Sequence, residues 1–294
     1  MIQIDIVFPT KNRFDQLVLA IQSVLEQFEY INKIIIIDQS DSNNDVLLKQ
    51  IFINVYDDLF IYKYEPNIKG LVEAKAYSLE FTTSKFISFL EDDVIIKENF
   101  YKNLLYSFQE NPNMVGCSGV IDNHPNFSLL YLLFFYVFHI GIYFDKRPLI
   151  YCNSIKHKKL IYSPKISGGI SIWKKKIFKE VTFDTKEFFH YIEDIEFSER
   201  VNKKYPFSLF INTDAHADHN VSLNLNARVT KSKQIFFKMI EYKKFYKKHR
   251  SIFNYLCTQW LFIGFFLESL YYCLKYKTKD PISNYFNGIF SNGS

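Results

Sequence analysis

The chain has 294 residues, of which 48% are hydrophobic and 23% are charged. This composition is typical of a globular protein and excludes an intrinsically disordered chain. The net charge of +5 is small, but clustered lysines could meet anionic lipid, nucleic acid or a phosphorylated substrate. Four widely separated cysteines without a CxxC pair predict reduced thiols that hold no zinc, which favours a cytosolic location.

From residue 3 to about 120, apolar strand-like runs alternate with amphipathic helix-like runs. The first run, "MIQIDIVFPT", lacks the basic and apolar regions of a signal peptide, so we interpret it as a core strand. Nearly continuous apolar strands between amphipathic helices are typical of a mainly parallel α/β sheet with helices on both faces. The predicted strands are 4–9, 33–40, 59–65 and 85–93, and the predicted helices are 14–27, 44–55 and 70–82.

Polar residues follow three of these strands at the point where each strand ends. Pro9 and Thr10 end the first strand, Asp38 ends the second, and Glu91, Asp92 and Asp93 end the fourth. Ligands of parallel sheets bind beyond the carboxyl ends of the strands, so these side chains predict a binding edge. Because no glycine-rich phosphate loop follows the first strand, a dinucleotide site or a P-loop is not expected.

The three adjacent carboxylates in "FISFLEDDVII" are the most informative feature of that edge. Like charges at the end of a buried strand repel, and burying them is costly unless a positive group is present. One acid would be enough to cap a helix or to end a turn, whereas three suit a hard divalent cation shared with substrate phosphates. The triplet therefore predicts a divalent metal site.

A second acidic pair, Glu193 and Asp194, begins a predicted helix. Acids are favoured at a helix N-terminus, so simple charge compensation is an alternative interpretation. The preceding "SGGISIW" favours function, since Gly168 and Gly169 allow a ligand or another backbone to approach closely. Trp173 could present an apolar face to a sugar ring. A carboxylate facing that cleft could act as a general base.

Two histidines and two apolar stretches complete the set of candidates. In "DAHADHNVS", His216 or His219 could complete a metal shell, although a single histidine is often structural. Residues 127–144 approach the length of a membrane span, but they lie inside one folding unit, so we expect a core or interfacial helix. Residues 252–274 follow a basic, aromatic run and predict either a membrane-surface module or a helical subdomain with its own core.

Four segments, in order and with sensible spacing over residues 3 to about 222, together resemble the family 2 glycosyltransferases, which have the GT-A fold. They are "DIVFPTKNR", "IIIIDQSDSNND", "NIKGLVEAKAYSLEFTTSKFISFLEDD" and "SGGISIWKKKIF…FDTKEFFHYIEDIEFSERV". The resemblance implies a Rossmann-like, mainly parallel sheet flanked by helices. It places the nucleotide-sugar-binding and catalytic domain at residues 1–225, with 226–294 as a basic, aromatic, helical C-terminal segment.

The resemblance also implies roles for individual residues. Asp93 and His219 would bind the metal, Asp194 would be the catalytic base, and Glu91 or Asp92 would lie near the ribose. Gly168, Gly169, Trp173 and Glu193 would lie on the acceptor side. Lys75, which would contact the donor, stands where the family commonly has an arginine and keeps the charge without the bidentate fork. The remaining residues, which would contact the nucleotide base, are Pro9, Thr10, Arg13 and Asp38.

The implied activity is inverting transfer of a sugar from a nucleoside-diphosphate sugar to a glycan or lipid-linked acceptor, with Mn²⁺ or Mg²⁺ as the cofactor. The expected setting is bacterial surface polysaccharide synthesis, on the cytoplasmic face of the membrane, with peripheral attachment through the C-terminal segment and no nucleic acid partner. Two alternatives stay open from the residues: a metal-dependent nucleotidyltransferase, and a non-catalytic, membrane-associated nucleotide-sugar-binding protein.

Overall fold

The first part of the chain alternates between strands and helices as predicted. The computed structural model describes residues 2–124, 127–151, 159–187, 189–220 and 231–291. With one exception, each predicted strand and helix up to residue 90 is present within a few residues of its expected bounds. The elements are β1 (Ile4–Thr10), α1 (Phe14–Leu25), β2 (Ile31–Asp38), α2 (Asp45–Ile51), α3 (Tyr56–Leu59), β3 (Phe60–Tyr64), α4 (Gly70–Ser78) and β4 (Phe86–Leu90).

The one difference in this part is the predicted helix 44–55, which forms two short helices. The helix α2 ends at Ile51, a turn occupies residues 52–55, and α3 then completes the connection to β3. Asn54 and the β-branched side chains of Ile53 and Val55 are weak helix formers, which is consistent with a break at this point.

The second part of the chain inserts antiparallel strands into the sheet. Its elements are β5 (Val94–Ile96), α5 (Phe100–Glu110), β6 (Gly116–Ile121), α6 (Leu129–Phe138), α7 (Arg147–Tyr151), β7 (Leu160–Tyr162), β8 (Ile170–Lys174), α8 (Glu193–Lys204) and β9 (Leu209–His219). The strand order is β3-β2-β1-β4-β8-β6-β9-β5, with β7 also paired to β9. Neighbours from β3 to β4 are parallel, as are β6 and β9, whereas β8 runs antiparallel to both β4 and β6.

Both faces of the sheet are covered, which explains why the strands are apolar along their whole length. Successive side chains of a strand point to opposite faces. Ile34 and Ile36 accordingly pack into one core cluster, and Ile35 and Ile37 pack into the other. All four are fully buried. The mixed α/β sheet with helices on both faces confirms the predicted fold class.

The C-terminal residues form three helices that share a core with the rest of the chain. They are α9 (Lys231–Lys248), α10 (Ile252–Tyr276) and α11 (Asp280–Phe290). Met239, Phe245 and Leu261 from these helices pack with Tyr143 and Ile192 from the preceding part. The predicted domain boundary at residues 225 and 226 lies outside the described residues, so this division stays a prediction.

The apolar stretch 127–144 forms a ten-residue α-helix, α6, and a short 3₁₀ helix at Gly141–Tyr143. It packs beside α10, where a Cβ atom on Gly264 would lie 2.6 Å from the ring of Phe138. The indole N–H of Trp260 donates a hydrogen bond to the carbonyl of Val137 at 2.7 Å. Within the described ranges, we find no helix that combines the length and the apolar character needed to cross a bilayer.

Candidate active site

The acidic triplet lies in the turn between β4 and β5, at the carboxyl ends of the parallel strands. The antiparallel pairing of β4 with β8 brings Gly169 beside Glu91, whose backbone N–H donates to the Gly169 carbonyl at 2.9 Å. The pairing of β5 with β9 places His219 opposite Val94, the residue that follows the triplet. Residues far apart in the sequence therefore converge on the three acids.

Arg13 supplies the positive charge that the triplet requires. Its Nη1 atom lies 3.0 Å from Oδ1 of Asp92 and 2.9 Å from Oδ2 of Asp93. The hydroxyl group of Thr10 donates to the other oxygen of Asp92 at 2.7 Å. Two residues predicted to contact the donor, Thr10 and Arg13, thus hold the acids in position from the end of β1.

Glu91, Asp93 and His219 form a cluster that suits a divalent cation. One ligand atom from each residue can be chosen so that all three lie within 4.8 Å of one another. Nε2 of His219 is 3.0 Å from Asp93 Oδ1 and 3.7 Å from Glu91 Oε2. Bonds of about 2.1 Å to an octahedral ion separate neighbouring ligand atoms by about 3 Å and opposite ones by about 4 Å, so the donors fit. The cluster contains both predicted metal ligands and adds Glu91.

The protonation behaviour of this cluster reflects its crowded negative charge. Burial, followed by the charge of Asp93, raises the pKa of Glu91 to about 7. Burial would also raise the pKa of Asp93, but its hydrogen bond with His219 and the charge of Arg13 bring that pKa below its ordinary value. The same hydrogen bond raises the pKa of His219. A cation placed among these groups would relieve the repulsion that raises the pKa of Glu91.

A cleft of about 710 Å³ opens in front of the acids and is large enough for a nucleotide. Pro9, Thr10, Arg13, Asp92 and Asp93 line it, as the predicted donor contacts require. Six further residues that line the cleft were not predicted: Lys11, Asn12, Gln39, Gly70, Leu71 and His190. Of these, Gln39 could have been inferred from the sequence, because it directly follows the end of β2.

Asp38 lies behind this cleft and is only 1% exposed. One carboxylate oxygen accepts the backbone N–H of Ser40 at 2.8 Å, and the other accepts the hydroxyl of Tyr62 at 2.5 Å and the amide of Asn44 at 3.1 Å. Asp38 thus fixes the loop that follows β2, and its contact with a nucleotide base stays a prediction.

Lys75 does not reach the donor cleft, so its predicted donor contact is wrong in this structure. Its side chain is 2% exposed, and its ammonium group lies 2.8 Å from Oε1 of Glu193. It also donates to the Gly168 carbonyl at 3.1 Å. The Glu193 side chain is 9% exposed. It does not line the smaller cavity described below, so the structure does not place it where the acceptor-side prediction requires. The two residues form a buried ion pair that ties α4 to the start of α8.

The two adjacent glycines allow the close approaches that the sequence suggested. A Cβ atom on Gly169 would lie 2.3 Å from Oε1 of Glu91, and one on Gly168 would lie 2.5 Å from Oε1 of Glu193. The groups that approach are therefore side chains of this chain. Gly169 also lines the smaller cavity described below.

Trp173 is buried, so the prediction that its ring faces a sugar is wrong. The residue is 2% exposed because β8 is an interior strand with both faces covered. Its ring meets that of Phe197 edge to face at 5.1 Å, and its N–H donates to the Ser171 hydroxyl at 2.9 Å.

Asp194, the predicted catalytic base, forms an ion pair with Arg147. Its other oxygen accepts the backbone N–H of Ile195 at 2.7 Å. Arg147 also binds Asp145, at 2.7 Å between Nη2 and Oδ2. Burial alone would raise the pKa of Asp145, but the guanidinium group holds that pKa below its ordinary value. The sequence did not identify Asp145 and Arg147 as site residues, because they directly follow an apolar stretch that was interpreted as a core or interfacial helix.

A second cavity, of about 290 Å³, lies beside this ion-pair group. Asp145, Arg147, Tyr151, Ser167 and Gly169 are among its lining residues, and it shares Glu91 and His219 with the donor cleft. Asp194 does not line the cavity itself, but its ion-pair partner Arg147 does. The two cavities therefore meet at the candidate metal ligands.

The architecture and the site thus combine a mixed α/β sheet with a nucleotide-sized cleft and with acids and a histidine at its strand ends. The chain belongs to glycosyl transferase family 2, because residues 5–182, more than half of its length, match the model of that family. This membership agrees with the sequence-based resemblance.

Comparison with known proteins supports the fold and gives a weaker guide to the biological role. GalNAc-T7, solved with UDP, GalNAc and Mn²⁺, superimposes with a TM-score of 0.60 at 14% identity, over 94% of this chain and 58% of that one. The mannosyltransferase PcManGT from Pyrobaculum calidifontis, in complex with GDP-Man and Mn²⁺, superimposes with a TM-score of 0.61 at 10% identity. This match covers 99% of this chain and 86% of that one. These similarities show the GT-A fold.

The minor teichoic acid biosynthesis protein GgaB of Bacillus subtilis strain 168 is 27% identical over 118 residues. The match covers 39% of this chain and 13% of that protein.

Proposed function

We propose that the enzyme is a metal-dependent, inverting glycosyltransferase that transfers a sugar from a nucleoside-diphosphate sugar to a hydroxyl group of a glycan or lipid-linked acceptor. The observation that carries this proposal is the meeting of two cavities at Glu91 and His219. The larger cavity suits the donor, because Arg13 and the strand ends face it. The smaller suits the acceptor, because it lies beside the ion-pair group that contains Asp194.

The proposed metal ligands are Glu91, Asp93 and His219, and the proposed ion is Mn²⁺ or Mg²⁺. When bound, such an ion neutralises the charge that develops on the departing nucleoside diphosphate. Both solved relatives contain Mn²⁺, which supports the choice. In the same proposal, Thr10 and Arg13 hold Asp92 at the floor of the cleft, where its carboxylate would meet the ribose.

Asp194 is the proposed general base. The acceptor oxygen forms a bond to the anomeric carbon while the bond from that carbon to the diphosphate oxygen breaks, and Asp194 takes the proton of the acceptor hydroxyl. Attack from the face opposite the leaving group inverts the anomeric centre, and the transition state has oxocarbenium character. Arg147 orients Asp194, and the acceptor hydroxyl would replace this guanidinium at one carboxylate oxygen.

The proposed setting is bacterial surface polysaccharide synthesis on the inner face of the membrane. The partial match to GgaB supports a cell-surface polymer as the product, since that protein is described as acting in minor teichoic acid biosynthesis. The basic and aromatic composition of residues 226–294 supports peripheral attachment to the membrane.

The donor is tested by thermal unfolding with UDP, dTDP, GDP and CMP, each with and without Mn²⁺. A ligand that binds the folded protein raises the melting temperature by mass action, so the nucleotide of the donor should give the largest shift, and only with metal present. Equal, small shifts for all four nucleotides with and without Mn²⁺ would contradict the proposal.

The base is tested with Asp194→Asn, in transfer from that donor to a panel of soluble and lipid-linked glycans. We expect transfer to fall by a factor on the order of 10² to 10⁴, the usual contribution of a positioned base, with donor affinity nearly unchanged. Asp184→Asn is the matched control: Asp184 also forms an ion pair, with Lys248, and also accepts a backbone N–H, but it lines neither cavity. Near-normal transfer by Asp194→Asn would refute the assignment.

A further inference from the structure

Two neighbouring helices, α6 and α10, expose an unusual number of large apolar side chains. The helices run antiparallel. Trp260 contacts Val137 and Phe138 near one end. Near the other end, burial and the charge of Glu268 raise the pKa of Tyr131. No described residue covers these side chains, which are between 39% and 83% exposed. We call them the apolar face: Leu129, Leu130, Leu133 and Val137 of α6, and Phe253, Leu256, Trp260, Ile263, Leu267, Leu270 and Leu274 of α10.

The apolar face is continuous and carries no charge. Residues 127–144 contain no acidic or basic side chain other than His139, and residues 252–274 contain only Glu268, which is partly buried. On α10 the exposed apolar positions recur every three or four residues, so they form one stripe along about 32 Å of helix. Cys257, Leu261 and Phe265 on the opposite side are buried in the C-terminal core. A patch of this size on a folded protein marks a binding surface.

The residues around the apolar face indicate what binds there. Exposed cations stand at both ends of α10, with Lys247 and Arg250 before it and Lys275, Lys277 and Lys279 at and after its end. Exposed aromatic residues flank the stripe, including Tyr255, Tyr271 and Tyr276. An apolar stripe bordered by tyrosines, with lysine or arginine at both ends, is the pattern of a helix that lies in a membrane interface and attracts anionic lipids.

A second copy of the chain is the competing occupant, because the α10 stripe also has heptad spacing. Two observations disfavour it. The positions that flank such a seam, among them Gln259, Gly264 and Phe266, carry none of the charges that usually set helix pairing. A pair of α10 helices would also leave Leu129, Leu130 and Leu133 of α6 in water.

We propose that the apolar face lies on an anionic lipid bilayer with α6 and α10 parallel to its plane. Phe127, which lines the smaller, proposed acceptor cavity, stacks on Tyr131 of α6 at 4.9 Å, so one wall of that cavity adjoins a helix that carries part of the apolar face. An acceptor can then keep its apolar tail in the bilayer while its hydroxyl-bearing head enters the cavity. This last step rests on the proposed function and assigns the acceptor to the lipid-linked glycans.

The test uses the full chain and sedimentation with vesicles of phosphatidylcholine, alone or mixed with phosphatidylglycerol. Leu133→Glu, Ile263→Glu and Leu267→Glu, made singly, should each weaken binding to the mixed vesicles by about tenfold, the value expected when one large apolar side chain no longer enters the bilayer. Ile53→Glu is the matched control, since Ile53 is 70% exposed and lies outside the apolar face. It should bind as the natural chain does.

Three results would overturn the proposal. The first is unchanged vesicle binding by all three variants. The second is binding that high salt abolishes but the glutamates do not affect, because the cations alone would then explain it. The third is a dimer in vesicle-free solution that the same glutamates dissociate, since a second copy would then occupy the surface. Metal-dependent nucleotide binding is measured on each variant, so a failure of the donor assignment is seen separately from a failure of membrane docking.

Discussion

The buried ion pair between Lys75 and Glu193 provides the sharpest test of the structure. Lys75→Met keeps the length and shape of the side chain but removes the ammonium group that lies 2.8 Å from Glu193 and 3.1 Å from the Gly168 carbonyl. The side chains are 2% and 9% exposed, so little water can replace the lost partner. Removing one member of a buried pair costs about 3–5 kcal/mol. We expect a loss of that size in the free energy of unfolding.

The assay is equilibrium urea unfolding, with a double-mutant cycle that includes Glu193→Met. Replacing both members with apolar side chains removes the uncompensated charge, so the double variant should recover most of the loss. Burial already raises the pKa of Glu193, and Lys75 opposes this rise. Without Lys75, the carboxyl group should protonate at a higher pH. Because the folded state would then bind a proton that the unfolded state does not, the deficit should shrink as the pH falls.

Lys49→Met is the matched control, because its pair with Asp57 has side chains that are 53% and 77% exposed. Exposed pairs contribute little to stability, so this variant should unfold almost as the natural chain does. If Lys75→Met lost no more than Lys49→Met, or lost nucleotide affinity without losing stability, the buried pair would be refuted and the donor role of Lys75 restored.

Two further predictions concern the acids. Asp93→Ala should abolish Mn²⁺-dependent nucleotide binding, measured by titration calorimetry. It should also lower the stability of the metal-free protein, because hydrogen bonding and charge hold the pKa of Asp93 down. That contribution is present above pH about 4 and is lost as the pH falls, so the variant and the natural chain should converge in acid. Gly169→Ala should displace Glu91, which a Cβ atom would meet at 2.3 Å, and weaken metal-dependent binding. Gly116→Ala, whose Cβ atom would meet the Trp173 ring at 2.6 Å, lines neither cavity and should cost stability only. Unchanged metal dependence in Asp93→Ala or Gly169→Ala would contradict the assigned cluster.

Local patterns were enough to predict much of the fold. The hydrophobic periodicity of residues 4–90 predicts strands and helices because it depends only on which side of each element is buried. The position of Glu91, Asp92 and Asp93 after an apolar run was sufficient to place them at a strand end. The convergence of Thr10 and the triplet at one edge follows from the parallel order of the strands, which alternating elements indicate.

Tertiary structure alone decided which side chains meet, because these contacts join distant parts of the chain. Lys75 was expected at the donor, but the turn of α4 points it at Glu193, 118 residues away. Trp173 is buried because β8 enters the sheet between β4 and β6, and no local pattern reveals an antiparallel insertion of that kind. Arg147 forms an ion pair with Asp194, although it directly follows an apolar stretch that gave no indication of a functional site. Residue type and spacing identify groups able to do chemistry, whereas the pairing of strands determines which of those groups face a cavity and which neutralise one another inside the protein.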